Sequence, residues 1–248
     1  MIPIKSVQDL QAMREAGRII AGIVNRLRES VKPGITTRQI NDLAGRYIEA
    51  QGVASAFKGY RGYPEDICIS INEEIVHGIP KDRQIKDGDI VSLDVGIKYK
   101  GYFSDMAVTV GVGKISSQAK KLIDVTRKSL IFGIKQARTN NNLSDISYAI
   151  QQYVEKNGFS IVRQFVGHGI GRQLHEEPEI PNFGQPNRGD ILKPGMVLAI
   201  EPMVNMGKLD CRVLSDGWTA VAVDGMPSAH FEHTVAVTEK EAEILTCL

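Results

Sequence analysis

Near the start of the chain, apolar positions recur at helical spacing. Leu10, Met13, Gly17, Ile20, Val24 and Leu27 follow one another at three- and four-residue steps behind Ser6, a capping residue. This predicts a helix over 6–31, ended by Lys32-Pro33-Gly34. A second helix is expected over 37–51, closed by Gly52. Strand-like segments follow at Ile67–Ile71, Ile90–Gly96 and Tyr102–Val110. After the polar stretch Gly111–Ser117, helical patterns return over 118–138 and 144–157, the latter closed by Gly158. Further strands are expected at Ile161–Val166, Met196–Val204, Arg212–Val223 and Ala229–Thr238.

The second run of elements resembles the first. A shift of 106 residues matches Ile40 with Ile146, Tyr47 with Tyr153, Glu49 with Glu155 and Gly52 with Gly158. With other offsets, KDGDIVSLD (86–94) lies on KPGMVLAIE (193–201), so Asp94 falls on Glu201. SDMAVTV (104–110) lies on FEHTVAV (231–237), so Asp105 falls on Glu232. HGIP (77–80) lies on HGIG (168–171), so His77 falls on His168. One such match is weak, but four in the same order imply two similar α/β halves about an approximate two-fold axis. Between them a cleft with an acid-rich floor is expected.

Strand alternation sorts the acidic segments into two faces. Asp94 shares a face with Ser92, while Val91, Leu93 and Val95 take the other. Asp105 goes with Ala107 and Thr109, Glu201 with Ala199 and Met203, and Glu232 with Thr234 and Ala236. A lone strand acid is ordinarily solvent-facing or paired with a base. Here the same faces carry no Lys or Arg, and each isolated buried ion costs several kcal/mol. Divalent cations resolve that problem: four carboxylates with one or two His can hold two ions about 3.5–4 Å apart. Such a donor set suits Mn, Fe, Co or Zn without choosing among them. His168 stands in a glycine frame, Val166-Gly167-His168-Gly169-Ile170-Gly171, and His175, His77 and His233 are also available. By alternation His233 points away from Glu232 and reads as structural. A paired-metal centre of this kind makes a bridging hydroxide near neutral pH, so hydrolysis is the expected chemistry.

Composition narrows the surroundings of that chemistry. Lys and Arg number 30 against 29 Asp and Glu, a formal net charge of +1, which gives no general attraction to nucleic acid or acidic membranes. The hydrophobic fraction of 42% excludes a disordered or fibrous chain. Cys68, Cys211 and Cys247 form no CxxC, arguing against a disulfide framework or thiolate zinc site. No basic segment followed by an apolar run opens the chain, and Ile19–Val24 is far shorter than the roughly 20 residues of a membrane span. A cytoplasmic location is therefore expected. No GxxxxGK[ST], HExxH or GxSxG motif competes with the acidic strands.

The ordered set Asp94, Asp105, His168, Glu201 and Glu232 resembles that of the type I methionine aminopeptidases. The phrases CISINEEIVHGIP (68–80), GHGIGRQLHEEP (167–178), KPGMVLAIEPMV (193–204) and DGWTAVAVDGMPSAHFEHTVAVT (216–238) extend the likeness over essentially the whole chain. The insertion that marks type II members before Glu201 is not evident. The resemblance implies an α/β (α+β) pita-bread fold, with pseudo-two-fold-related halves of antiparallel strands flanked by helices. It implies one catalytic domain over 1–248, with repeats of about 1–113 and 114–248.

It also implies roles. Asp94 chelates one metal, Asp105 and Glu232 bridge two, and His168 and Glu201 bind the second. Glu201 moves a proton to or from the nucleophile. His175 hydrogen-bonds the scissile carbonyl oxygen, and His77 contacts the scissile amide nitrogen. Tyr60, Tyr63, Cys68, Leu174 and Trp218 line a methionine pocket, with Phe57 near its rim; Leu174 stands where the family commonly has Phe. A monovalent cation is implied near Asn72 and Ser228. The implied substrates are nascent polypeptide N-termini at the ribosome, processed by a monomer that binds neither membrane nor specific nucleic acid.

Overall fold

The computed structural model describes residues 2–248. Its helices are α1 (Val7–Ser30), α2 (Thr37–Ala50), α3 (Ser117–Ile134) and α4 (Leu143–Lys156). Strands β1 (Ala54–Ser55), β2 (Cys68–Ile71), β3 (Glu74–Val76), β4 (Ile90–Tyr99) and β5 (Tyr102–Gly111) belong to the first half. The second half supplies β6 (Ser160–Ile161), β7 (Gly167–Gly169), β8 (Glu176–Ile180), β9 (Val197–Ile200), β10 (Met203–Asn205) and β11 (Cys211–Val213). It continues with β12 (Ala220–Ala222), β13 (Ser228–His230), β14 (Glu232–Ala236) and β15 (Glu243–Ile244).

Local sequence explains the helix ends. The Ser6 hydroxyl accepts from Asp9 N, and the Asp9 carboxylate accepts from Ser6 N, a reciprocal capping box. Thr36 with Gln39 and Asn142 with Asp145 form the same box at α2 and α4. Glycines at positive φ, Gly52 at 66° and Gly158 at 81°, follow those helices, where a side chain would be strained. The two halves thus use matching devices at matching places. Helix α3 stops at Ile134, short of the expected 138, because Gln136 and Ala137 donate to carbonyls three residues back.

The main sheet has nine antiparallel strands. Its path runs β1-β4-β5-β14-β9-β7-β8, with β2 beside β4 and β15 beside β14. The pairing of β5 with β14 joins the halves at the middle. One sheet face packs Val91, Leu93, Val95, Leu198, Ile200, Val235 and Val237 into the large core with Ile20, Val24 and Leu27 of α1. Each such burial contributes roughly 1.5–3 kcal/mol. The opposite face carries small residues and the acids.

Three expected strands are interrupted. Met196–Val204 divides at Glu201-Pro202 into β9 and β10, since proline has no N–H for the ladder. Ala229–Thr238 divides at Phe231 into β13 and β14. At both breaks the chain passes between the main sheet and a three-stranded sheet, β13-β10-β6. Arg212–Val223 is a hairpin, β11 to β12, whose turn is held by Asp216 accepting from Trp218 N and Thr219 N. Of Ile161–Val166 only Ile161 pairs as strand, together with the preceding Ser160. No helix among the described residues is long and apolar enough to cross a membrane.

Candidate metal centre and its pocket

Strand register brings the carboxylates together. Asp94 on β4 and Glu232 on β14 both pair with Ala107 on β5, so all three stand in one row on one face. Asp105, two residues back along β5, shares that face and pairs with Gly96. Beyond it, the Thr234 hydroxyl donates to Asp105 O at 2.8 Å and accepts from Asp105 N at 3.0 Å. Thr234 pairs with Ala199, and Ala199 with His168 on β7. Directly opposed Cβ atoms lie about 4.5–5.5 Å apart, so the acids crowd above a floor of Ala107, Gly96 and Ala199. The small same-face neighbours expected from alternation are therefore what makes room for them.

Glu201 reaches the cluster from the break after β9. The Asn182 side-chain amide donates to its carbonyl at 3.0 Å. Its carboxylate spans two imidazoles: Oε1 is 3.7 Å from His168 Nε2, and Oε2 is 3.4 Å from His230 Nε2. The expected face-sharing of Glu201 with Met203 does not hold, because Pro202 ends the strand between them.

One donor atom from each of Asp105, His168 and Glu232 lies within 4.8 Å of the others. Asp94 and Glu201 line the same cavity. His168 Nδ1 is 2.8 Å from Gly169 O; a carbonyl only accepts, so Nδ1 carries the proton and the Nε2 lone pair is free. Asp94 Oδ1 and Glu232 Oε1 are buried with no hydrogen-bond partner. Burial pushes the Asp94 carboxyl up to about 7 and Glu201 up to about 8. Burial and the neighbouring acids push Asp105 and Glu232 well above the usual carboxylate range. Burial also lowers His168 to about 3, keeping its imidazole neutral. Neutral imidazole with partnerless, crowded carboxylate oxygens fits divalent cations.

Beside this floor opens a cavity of about 160 Å³. Its walls include Phe57, Tyr60, Tyr63, Cys68, Leu174 and Trp218, together with His77 and His175. Tyr63 meets Trp218 edge-on at 5.1 Å between ring centres, and Phe57 at 6.5 Å. The Tyr63 hydroxyl is held against the carbonyls of Gly78 and Ile67 at 3.0 and 3.1 Å. Cys68 pairs across β2–β4 with Asp94, so the apolar wall and the acid floor adjoin. The His175 ring is 4.3 Å from that of His168, and its Nδ1 is 2.7 Å from the Tyr60 hydroxyl. His77 adopts a φ of 60° and stands edge-on to Phe165 and Trp218. Burial lowers His77 to about 4 and also lowers His175, so both rings are neutral at ordinary pH.

All twelve sequence-predicted site residues line this one cavity. His233 lies apart, with Nδ1 2.8 Å from the Thr246 hydroxyl, as alternation predicts. At the expected monovalent-cation position, Asn72 O accepts from Ser228 N at 2.8 Å. Sequence reasoning passed over His230, whose side chain is buried against Glu201, and Arg61, which lines the cavity at a φ of 49°. The available signal for His230 was its position two residues before Glu232. The strand break at Phe231 weakens that signal.

The model of metallopeptidase family M24 matches residues 11–239. Methionine aminopeptidase 1 of Bacillus subtilis is 53% identical over 246 residues, covering 99% of each chain. A crystal structure of methionine aminopeptidase from Thermotoga maritima superposes with a TM-score of 0.98 at 46% identity, covering all of both chains. A Xaa-Pro dipeptidase from Bacillus anthracis shares the fold alone: TM-score 0.80, 22% identity, with 99% of this chain matched to 62% of that one. The buried acid cluster, the fold around it and these likenesses agree, and the chain belongs to metallopeptidase family M24, in its type I methionine aminopeptidase branch.

Proposed function

We propose that this chain hydrolytically removes the initiator methionine from nascent polypeptides whose second residue is small. The observation that carries the reading is the junction of a sulfur- and aromatic-lined cavity with a buried cluster of acids and imidazole. A methionine side chain is apolar and polarisable and packs well against rings. Its volume of about 160 Å³ suits a single side chain.

Asp94, Asp105, His168, Glu201 and Glu232 are the residues assigned to hold two divalent ions. Bound ions there supply Lewis acidity and a nucleophile at neutral pH. Glu201, its carboxylate set between His168 and His230, is assigned to take a proton from the attacking water and pass it to the leaving amine. His175, steadied by Tyr60, is assigned to donate to the carbonyl oxygen as negative charge develops there. His77 is assigned to the scissile amide nitrogen. Tyr60, Tyr63, Cys68, Leu174 and Trp218 bind the methionine side chain. Residues 1–248 act as one catalytic unit, a cytoplasmic monomer meeting its substrate at the ribosome, with a monovalent cation near Asn72 and Ser228.

The test is release of methionine from Met-Ala peptides by purified protein supplied in turn with Mn, Co, Fe or Zn. Activity is expected with at least one metal and is lost on chelation. Absence of release with every metal overturns the reading. Cleavage of Ala-Pro in preference to Met-Ala assigns the chain to proline-peptide hydrolysis instead.

A further inference from the structure

His230 is buried at the C-terminal end of β13, and neither of its ring nitrogens has a hydrogen-bond partner. A buried polar group left alone costs on the order of 1–3 kcal/mol, so an orphaned imidazole here calls for an explanation. Its backbone is fixed from two sides. His230 N donates to the Thr109 hydroxyl oxygen at 2.9 Å, and that hydroxyl donates back to His230 O at 2.8 Å. On the other side β13 pairs His230 with Met203, two residues beyond Glu201. The ring is thereby held over one carboxylate oxygen, with Nε2 3.4 Å from Glu201 Oε2. The other oxygen, Oε1, faces His168 Nε2. The two oxygens of Glu201 are divided between two imidazoles, of which only His168 joins the compact donor set with Asp105 and Glu232.

From this geometry we infer that His230 is a positioning residue for Glu201: its Nε2–H donates to Glu201 Oε2 and leaves Oε1 to the metal cluster. A gap of 3.4 Å is long for such a bond. Hydrogen bonds of this kind are often loose in a ligand-free site and tighten in the loaded one. The consequence is a carboxylate that binds through one oxygen and keeps a fixed orientation for proton transfer. A partner behind a metal-binding group typically changes metal affinity about 10–100-fold.

The inference rests on the assignment of Glu201 to the metal centre, and the test separates the two. Purified protein, stripped with chelator, is titrated with Co(II) by calorimetry while the visible absorption of the bound ion is followed. The same is done for H230A, H230L and H230Q; leucine fills the space without a donor, and glutamine restores an N–H. The expected result is a roughly 10–100-fold loss of affinity in one binding step for the Ala and Leu variants. The Gln variant recovers most of it, and the band positions of the fully loaded protein are kept. Unchanged affinity and spectrum in all three variants overturn the inference while leaving the metal centre intact. A Gln variant as weak as Ala, with shifted bands, makes His230 a ligand and also overturns it. If the unaltered protein binds no Co(II), the metal assignment fails and this inference with it.

Discussion

The chemistry at the residue scale turns on which nitrogen of each imidazole carries a proton. Gly169 O fixes the proton of His168 on Nδ1, which frees Nε2 toward the acids. The Tyr60 hydroxyl sits on Nδ1 of His175. If the hydroxyl donates there, Nε2 carries the proton and is the atom available to a developing oxyanion. Replacing Glu201 by Ala is expected to lower kcat on Met-Ala peptides by about 10²–10⁴-fold, the usual worth of a general base. H175A is expected to cost about 10²–10³-fold, as loss of an oxyanion donor does. Y60F removes the partner of His175 and should lower kcat by a smaller factor. Steady-state kinetics with the same metal check all three, and a Glu201 variant with full kcat overturns the assignment. The carboxylates were legible because each stands in an apolar, strand-like pattern, where chemistry must justify its presence; His175 and Tyr60 were read only through the family resemblance. His230 was not legible, because its role depends on a contact made through the fold.

At the element scale, two glycines of α1 have opposite reasons for being there. A Cβ on Gly17 would lie 2.1 Å from Leu245 O, so α1 and the C-terminal segment approach too closely for any side chain. A Cβ on Gly22 would meet nothing within 4 Å. Helix propensity alone favours alanine at both positions by about 0.5–1 kcal/mol. At Gly17 the clash with backbone outweighs that gain, and G17A is expected to destabilise by roughly 1–3 kcal/mol. G22A should stabilise by up to about 1 kcal/mol. Urea denaturation of both variants checks the pair, and equal effects would contradict the close approach. The helices were readable because capping and 3.6-residue periodicity are local. The breaks at Glu201-Pro202 and Phe231 were less so, since the residues on either side still alternate like strands while pairing in different sheets.

On the scale of the whole molecule, the acids come from both halves, Asp94 and Asp105 from the first and Glu201 and Glu232 from the second, with His168. Ties elsewhere hold the halves in register: the buried Lys5–Glu176 ion pair, and Arg172 donating to the Tyr102 hydroxyl, which itself donates to Asp9. Bringing the acids together has a pH signature. In protein stripped of divalent ions, Asp94 and Glu201 titrate at about 7 and about 8, above their unfolded values near 4. Between those limits the folded state binds more protons than the unfolded, so stability declines as pH rises. Below about pH 6.5 the buried imidazoles, with lowered pKa values, act in the opposite sense, so the thermal midpoint of chelator-treated protein is expected to fall from about pH 7 upward, and added divalent metal should raise it most at the alkaline end. Calorimetry across that range tests this; a midpoint that rises with pH contradicts it. The sequence by itself determined the helices, the repeated order of elements, and which residues share a face within each unbroken strand, because these follow from local periodicity and the chemistry of side chains. Only the tertiary structure decided that Asp94 and Glu232 flank the same alanine, that Glu201 lies in a break rather than a strand, and that His230 stands behind it. Those facts depend on register between distant strands, which no short stretch of chain encodes.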